Sequence, residues 1–294
     1  MGPGYRGPGY GCEVEADEQR AARVAISEAM APGWERRRAR IDEALAPVRR
    51  WLVRAIDASP GQTVLELGAA SGDTGLEAAA ALGDEGRLIA TDFTEAMVAV
   101  GRRRAAEVGA RNVEHRVMDA ERIDLPDASV DAVLCRFAYM LMNDPAAALA
   151  GTRRVLRPGG RVALSVWAAP GRNPWQSVGA GLLRELGLAP PPAPGEPSPF
   201  GLADEDRLRG LLDGAGLVDA RLEEVEVAIE YRDAADWLDL VTDTSGLIGQ
   251  TLRALGEDDR EALRERLATA YAPFATSDGL RVPGVALCAV ATAP

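Results

Sequence analysis

The sequence predicts an α/β fold: a doubly wound, mostly parallel sheet covered by helices on both faces. Three observations carry that prediction. Short apolar runs at residues 63–67, 87–91, 112–117, 130–135 and 161–166 alternate with stretches of helix-forming composition, the pattern of strands buried on both faces. The first run leads into a glycine turn, Gly68-Ala69-Ala70-Ser71-Gly72, and then into Leu76-Glu77-Ala78-Ala79-Ala80-Ala81-Leu82, a run of strong helix formers, which opens a βαβ unit. A chain of 294 residues suits one such domain with decorations.

The elements follow in order. The repeated Gly-Pro-Gly-Tyr at the start predicts a disordered tail over residues 1–17. Residues 18–58 read as an N-terminal helical lid, broken at Pro32-Gly33 and again at Pro47. Its face Trp34, Ile41, Leu45, Val48, Leu52 and Ile56 is expected to pack on a core. Residues 59–168 hold the five strands. Thr94 is placed to cap the helix after strand two, and Asp144-Pro145 starts the helix before strand five, with proline at its first position. Residues 169–202 change in composition, with Pro190-Pro191-Pro192, Pro194, Pro197 and Pro199 following a short helix near 175–186; this reads as an insertion or cap. Residues 203–294 continue the same domain with a helix at 203–215, a long strand at 218–231, helices at 234–255 and 257–271, and a strand at 285–292.

The formal charge of −12 argues against a nucleic-acid or anionic-membrane partner. All 33 basic residues are arginine, and the clusters Arg36-Arg37-Arg38 and Arg102-Arg103-Arg104 read most simply as solvated helix faces. The three cysteines, Cys12, Cys135 and Cys288, are scattered, which suggests neither a disulfide framework nor a zinc site and fits a reducing compartment. No apolar run reaches membrane-spanning length and no apolar signal core opens the chain, so a cytoplasmic location without a membrane span is expected.

Three features fall at strand ends on one edge of the sheet, where open α/β sheets bind ligands. The first is the Gly68–Gly72 turn, whose glycines let the backbone turn sharply and approach a ligand, with the free N–H groups of the next helix facing it. The second is Asp92, about twenty residues on, placed to accept both hydroxyls of a ribose. The third is Asp119 with Ala120, placed to read an adenine amino group and ring nitrogen. In that order they describe an adenosine site.

These residues give the chain a family resemblance. Glu66-Leu67-Gly68-Ala69-Ala70-Ser71-Gly72, Asp92, Met118-Asp119-Ala120, Leu125-Pro126-Asp127-Ala128-Ser129-Val130-Asp131-Ala132-Val133 and Arg153-Arg154-Val155-Leu156-Arg157-Pro158-Gly159-Gly160-Arg161 resemble the class I S-adenosylmethionine-dependent methyltransferases. The last two motifs are similar to the small-molecule branch that contains the ubiquinone/menaquinone-biosynthesis C-methyltransferases. The resemblance spans roughly residues 45–170. It implies a seven-stranded Rossmann-like sheet with an antiparallel last strand, and S-adenosylmethionine as cofactor. It also implies a small-molecule methyl acceptor and a monomer or homodimer. It implies that Gly68, Ala69 and Gly72 pass under the methionine part and that Glu66 supports its amino group. Asp92 would hold the ribose, with Phe93 beside the adenine, and Met97 would be a further cofactor-binding residue. Asp119 and Ala120 would read the adenine. Cys135, Arg136 and Phe137 would face the sulfonium and acceptor. One departure stands out: Ala70 replaces the usual middle glycine.

A sulfonium methyl is already activated, so alignment and water exclusion can suffice. No catalytic base is identified, and no metal cluster. The single histidine, His115, reads as a packing or surface residue. Candidate acceptor-pocket residues are Trp34, Arg136, Tyr139, Met140, Trp167 and Trp175. Arg136, just past a buried strand, needs a partner: an acidic acceptor or a structural carboxylate. A nicotinamide-dependent oxidoreductase is an alternative, but Ala70 and Asp73 stand where G-x-G-x-x-G needs glycine. A non-catalytic cofactor-binding partner and an aminopropyl transferase are further alternatives.

Overall fold

A computed structural model describes residues 9–190 and 196–294. The expected tail therefore lies partly outside the described residues, and so does half of the proline cluster, Pro191, Pro192 and Pro194. Helix α1 (Gly9–Ile56) begins within the span read as tail and runs through Pro32 and Pro47, so neither expected break ends it. A proline inside a helix costs ~3 kcal/mol locally. Tertiary packing overrides that cost: Val48, Leu52 and Ile56 are buried in the main core, and Gly33 lies against the backbone of Asp243.

The sheet strands are β1 (Thr63–Leu67), β2 (Arg87–Asp92), β3 (Val113–Val117), β4 (Val130–Arg136), β5 (Leu156–Trp167), β6 (Val218–Tyr231), β7 (Ala275–Thr276) and β8 (Gly279–Thr292). Their order is β3-β2-β1-β4-β5-β8-β6, with the two-residue β7 pairing β8 as an eighth strand beyond the seven expected. The first five are parallel, and β8 is antiparallel to both neighbours. The order reverses between β1 and β4, the switch point where a crevice opens beyond the strand ends.

Local chemistry sets the helices between them. α2 (Asp73–Leu82) starts at the glycine turn. α3 (Glu95–Glu107) starts where the Thr94 hydroxyl accepts from Met97 N. α4 (Pro145–Val155) starts where Asp144 accepts from Ala147 N. α5 (Pro174–Glu185) and α6 (Glu205–Gly214) precede β6. The helix expected over 234–255 is two, α7 (Ala234–Thr244) and α8 (Gly246–Ala254), followed by α9 (Glu257–Tyr271).

Two large apolar cores result among the described residues, with a small third cluster of Ala31, Met97 and Val100. The main one fills the space around the sheet and takes in the second half of α1. The other joins Leu183, Ile229, Tyr231, Trp237, Leu263, Tyr271 and Val282, so α5, α7 and α9 sit on the part of the β6–β8 ribbon that extends past β5. That makes a helical cap beside the strand edge. No helix among the described residues is long and apolar enough to cross a membrane.

Candidate functional site

The glycine turn is a run of left-handed residues. Gly68 (φ 66°), Ala70 (φ 47°) and Gly72 (φ 78°) alternate along it, and Ala69 N donates to Thr91 O while Gly72 N donates to Ala69 O. Gly68 is required twice over: by its φ, and because a Cβ there would lie 2.6 Å from Ala138 Cβ, on the segment after β4. Gly72 is required by φ alone, since a Cβ there would meet nothing closer than 3.9 Å. Ala70 stands in the same left-handed region with a side chain and carries strain on the order of 1 kcal/mol.

Beneath the turn, Glu66 is buried and its Oε1 accepts from Gly75 N at 3.0 Å. A Cβ on Gly75 would lie 2.2 Å from Glu66 Oε2. Gly75 thus lets α2 sit on that carboxylate, a role the sequence reading missed; its only signal was a glycine in the first turn of a helix. Burial pushes the Glu66 carboxyl up to about 8, against the pull of the Arg136 charge and the Gly75 N–H.

At the end of β2, Asp92 accepts from Ala70 N (2.8 Å) through Oδ2 and from Phe93 N (2.7 Å) through Oδ1. Burial raises its pKa, and the N–H groups of Ala70, Phe93 and Thr94 work the other way. Three donors on two oxygens leave a lone pair for a ligand. Met118 N donates to Asp92 O, so the loop after β3 lies against it. There Asp119 Oδ1 accepts from Glu121 N, and Ala120 is partly exposed.

At the end of β4, Cys135 is buried and burial pushes its thiol up to about 12, which makes it packing rather than a nucleophile. Arg136 turns inward: burial pulls its pKa down, while Glu66, Asp42 and Asp73 hold it up. Phe137 has φ 59°, donates N–H to Ser165 O, and stacks on Trp167 with ring centroids 4.1 Å apart. A bulky residue held left-handed at a strand end marks a constrained site.

Several acceptor-pocket candidates lie elsewhere. The Tyr139 hydroxyl bonds Thr152 Oγ1 at 2.5 Å in the core towards α4. Met140 is buried in the same core. Trp167 is buried, stacked on Phe137 and in tilted contact with Trp175, and Trp175 donates to Asn173 Oδ1. Trp34 packs with Ala31, Met97 and Val100, which puts it by the loop after β2 rather than beside β4. Met97 itself is buried there. His115 packs against Gly101 of α3, where burial lowers its pKa.

The arginine clusters are also not simply solvated. Arg36 and Arg37 pair with Asp243 of α7, Arg38 and Arg104 with buried Asp73, Arg40 with Asp236, and Arg103 with Glu35. These pairs fasten α1 to α2, α3 and the cap. With Ser27 Oγ 3.5 Å from Thr94 Oγ1, α1 runs over the loop after β2 and on to the cap. A groove of about 720 Å³ among α1, α2 and α3 shares only Asp73 with this site. Among the described residues no cluster of His, Cys, Asp or Glu could hold a metal.

Residues 64–160 match the family model described as a methyltransferase domain. That segment runs from β1 to the turn within β5 and contains the glycine turn, Asp92, Asp119 and Arg136.

The segment resembles a methyltransferase domain.

The demethylmenaquinone methyltransferase of Renibacterium salmoninarum is 32% identical over 137 residues, covering 46% of this chain and 54% of that protein. The ubiquinone/menaquinone biosynthesis C-methyltransferase of Enterobacter sp. is 33% identical, covering 42% and 50%. The arsenite methyltransferase of Halobacterium salinarum is 34% identical over 36% of this chain and 27% of that protein. The chain thus spans about half the length of such relatives or less. Among solved structures, the YcgJ protein of Bacillus subtilis superposes with a TM-score of 0.56 at 19% identity, over 83% of this chain and 97% of that one. A phosphoethanolamine N-methyltransferase of Haemonchus contortus gives 0.52 at 16%, over 86% and 53%. Both likenesses concern the fold.

The cofactor of a class I methyltransferase domain is S-adenosylmethionine, and the residues fit it. Bare backbone lies at Gly68 and Gly72, a carboxylate with a spare lone pair at Asp92, and two buried polar atoms without a hydrogen-bond partner, Glu66 Oε2 and Arg136 Nη1, at the ends of β1 and β4.

Proposed function

We propose that the chain moves the methyl group of S-adenosylmethionine to a small-molecule acceptor by in-line transfer. The observation that carries this is convergence at one sheet edge. The left-handed turn of 68–72, Asp92, Asp119 and the inward Arg136 come from four strands and meet under α1. Bound there, the cofactor supplies an activated methyl electrophile. The chain's own work is alignment. Asp92 would take the ribose hydroxyls, Asp119 and Ala120 the adenine edge, and the 68–72 backbone the methionine chain. Held geometry of this kind is worth up to ~7–11 kcal/mol of barrier. Met97, buried over the loop after β2, and the half-buried Trp34 against it would keep water from that end.

No cysteine, tyrosine or histidine of the edge is free to act as a base. Cys135 holds its proton, the Tyr139 hydroxyl is tied to Thr152, and His115 lies on the far side of α3's Gly101. The acceptor must therefore bring its own nucleophile, as an enolate, phenolate, thiolate or amine does. Its pocket would be built by α1 and by the cap beyond residue 160, both outside the matched segment. That agrees with relatives named for quinone precursors and for arsenite sharing this region. We place the protein in the cytoplasm.

Calorimetry with S-adenosylmethionine and with NADH tests the cofactor. Tight NADH binding without S-adenosylmethionine binding overturns the proposal in favour of an oxidoreductase. A methyl-transfer screen over quinols, phenols, carboxylates and amines, carbon acceptors first, then names the substrate. Cofactor binding without transfer to any class would favour a non-catalytic partner protein.

A further inference from the structure

The first half of α1 is wedged between two jaws, and its sequence carries a face for each. Ile26, Met30, Gly33 and Arg37 recur at spacings of four, three and four residues, so they share one helix face. That face meets the corner between α7 and α8. A Cβ on Gly33 would lie 2.0 Å from Asp243 O, and a Cβ on Gly246 would lie 2.4 Å from Ile26 Cγ2. Bare backbone at both glycines therefore lets the helices touch. Asp243 closes the contact: its Oδ1 accepts from Arg36 Nη2 at 2.6 Å and its Oδ2 from Arg37 Nε at 2.7 Å. Burial would raise the Asp243 carboxyl, yet the hydrogen bonds from Arg37 and Arg36 outweigh it and hold the group below its ordinary value.

The neighbouring face, Ser27, Ala31, Trp34 and Arg38, has the same spacing. It rests on the start of α3 and the loop before it. Ser27 Oγ lies 3.5 Å from Thr94 Oγ1, Ala31 and Trp34 pack with Met97 and Val100, and Arg38 pairs with Asp73. Thr94 stands two residues past Asp92, the carboxylate assigned to the ribose. A cofactor held by Asp92 therefore has α1 at its way in and out.

This half of α1 is also its loosely held half. After Pro47, Val48, Leu52 and Ile56 are buried in the main core. Of residues 26–46 only Ala31, Gly33 and Leu45 are buried. Ion pairs supply much of the remaining fastening, Arg40 to Asp236 and Arg103 to Glu35 among them, and partly exposed pairs are individually weak. Pro47 has no N–H to give the carbonyl four residues back, so α1 is weakest where its loose half meets its anchored half.

Resting on the cofactor reading above, we propose that residues 26–46 of α1 are a strap that parts from the α7–α8 corner, bending at Pro47, to admit and release the cofactor, with Asp243 as the clasp that holds it shut. Strap opening then limits exchange of the spent cofactor. Salt weakens the clasp and speeds that exchange.

The geometry offers a covalent lock. A Cβ on Gly246 would lie 3.9 Å from Ile26 Cβ, within the ~3.5–4.5 Å that a disulfide spans. Ile26→Cys with Gly246→Cys, in a Cys12→Ser background that leaves only the buried Cys135 and Cys288, is closed by mild oxidation and reopened with dithiothreitol. The probe is S-adenosylhomocysteine, mixed by stopped flow and followed by tryptophan fluorescence. Locked before mixing, the protein should bind roughly tenfold more slowly or worse, and locked over bound ligand it should release as slowly, because opening gates both steps. Dithiothreitol should restore both rates. Asp243→Asn should instead speed both, by roughly threefold to tenfold, the range of two partly exposed ion pairs. The ratio of its two rates should stay near the parent's, which a merely destabilised fold would not give. Added salt should speed the parent more than Asp243→Asn. Thiols that do not pair on oxidation, exchange rates unaltered by the closed lock, or Asp243→Asn exchange no faster than the parent's overturn the strap. A parent protein that does not bind S-adenosylhomocysteine overturns the cofactor reading instead.

Discussion

Gly68→Ala tests whether the turn is built as the structure shows. Two costs arise at that residue. The backbone has φ 66°, where an L-side chain costs about 1–2 kcal/mol, partly offset by a stiffer unfolded chain, about 0.4–1 kcal/mol. The new Cβ would also lie 2.6 Å from Ala138 Cβ, far inside the ~3.5–4.0 Å of a carbon–carbon contact, and such overpacking costs about 1–3 kcal/mol. The sum is about 1–5 kcal/mol. Only the overlap depends on Ala138, so Ala138→Gly in the same chain should return about 1–3 kcal/mol and leave the backbone part. Urea unfolding of the parent, both single variants and the double variant gives the coupling energy directly. Additivity within ~0.5 kcal/mol would show that the turn and the segment after β4 do not touch, and the reasoning would fail.

Other outcomes follow from the same geometry. Ala70→Gly should be neutral or stabilising by up to about 1 kcal/mol in thermal unfolding, because it removes the left-handed side chain at φ 47°; a loss above 1 kcal/mol refutes that strain. Asp92→Ala should weaken S-adenosylmethionine at least tenfold by calorimetry, since it removes the ribose acceptor and the anchor of Ala70 N; unchanged affinity sinks the site assignment. Glu66 has an ordinary value of 4.5 and a folded value of about 8, so the folded state binds the extra proton between them. Its contribution is therefore present below about 4.5 and lost as pH rises towards 8, at up to ~1.4 kcal/mol per unit. Glu66→Gln should flatten the fall of melting temperature over that window, and an unaltered slope counts against a buried carboxyl there.

The sequence carried the sheet and the cofactor edge because both are local statements. A run of alternating strand and helix fixes which residues lie at strand ends, whatever packs above them. Gly68, Asp92 and Asp119 could be placed from spacing alone. Caps were equally legible, as Thr94 and Asp144 show, since the cap bonds atoms within three residues of itself. The acceptor side was not legible. Tyr139, Met140 and Trp167 are apolar or aromatic residues near a strand end, and nothing local says whether they face a cavity or the core. α4 and α5 decided that, and they come later in the chain.

The same division runs through α1. Its apolar face could be read from helical spacing, and Leu45, Val48, Leu52 and Ile56 are buried. Its continuity through Pro32 and Pro47 could not, because a proline's local cost is visible in sequence while the packing that outweighs it comes from residues about two hundred positions away, such as Asp243. Nor could the partners of Arg36, Arg37 and Arg38, since a charge cluster looks the same whether it faces water or a distant aspartate. The sequence by itself determined the α/β order, the left-handed turn and the carboxylates at the strand ends, all set by backbone geometry over a few residues. Only the tertiary structure decided that α1 is fastened over that edge and that Glu66 is buried beneath the turn, because burial and long-range pairing are properties of what the chain folds against.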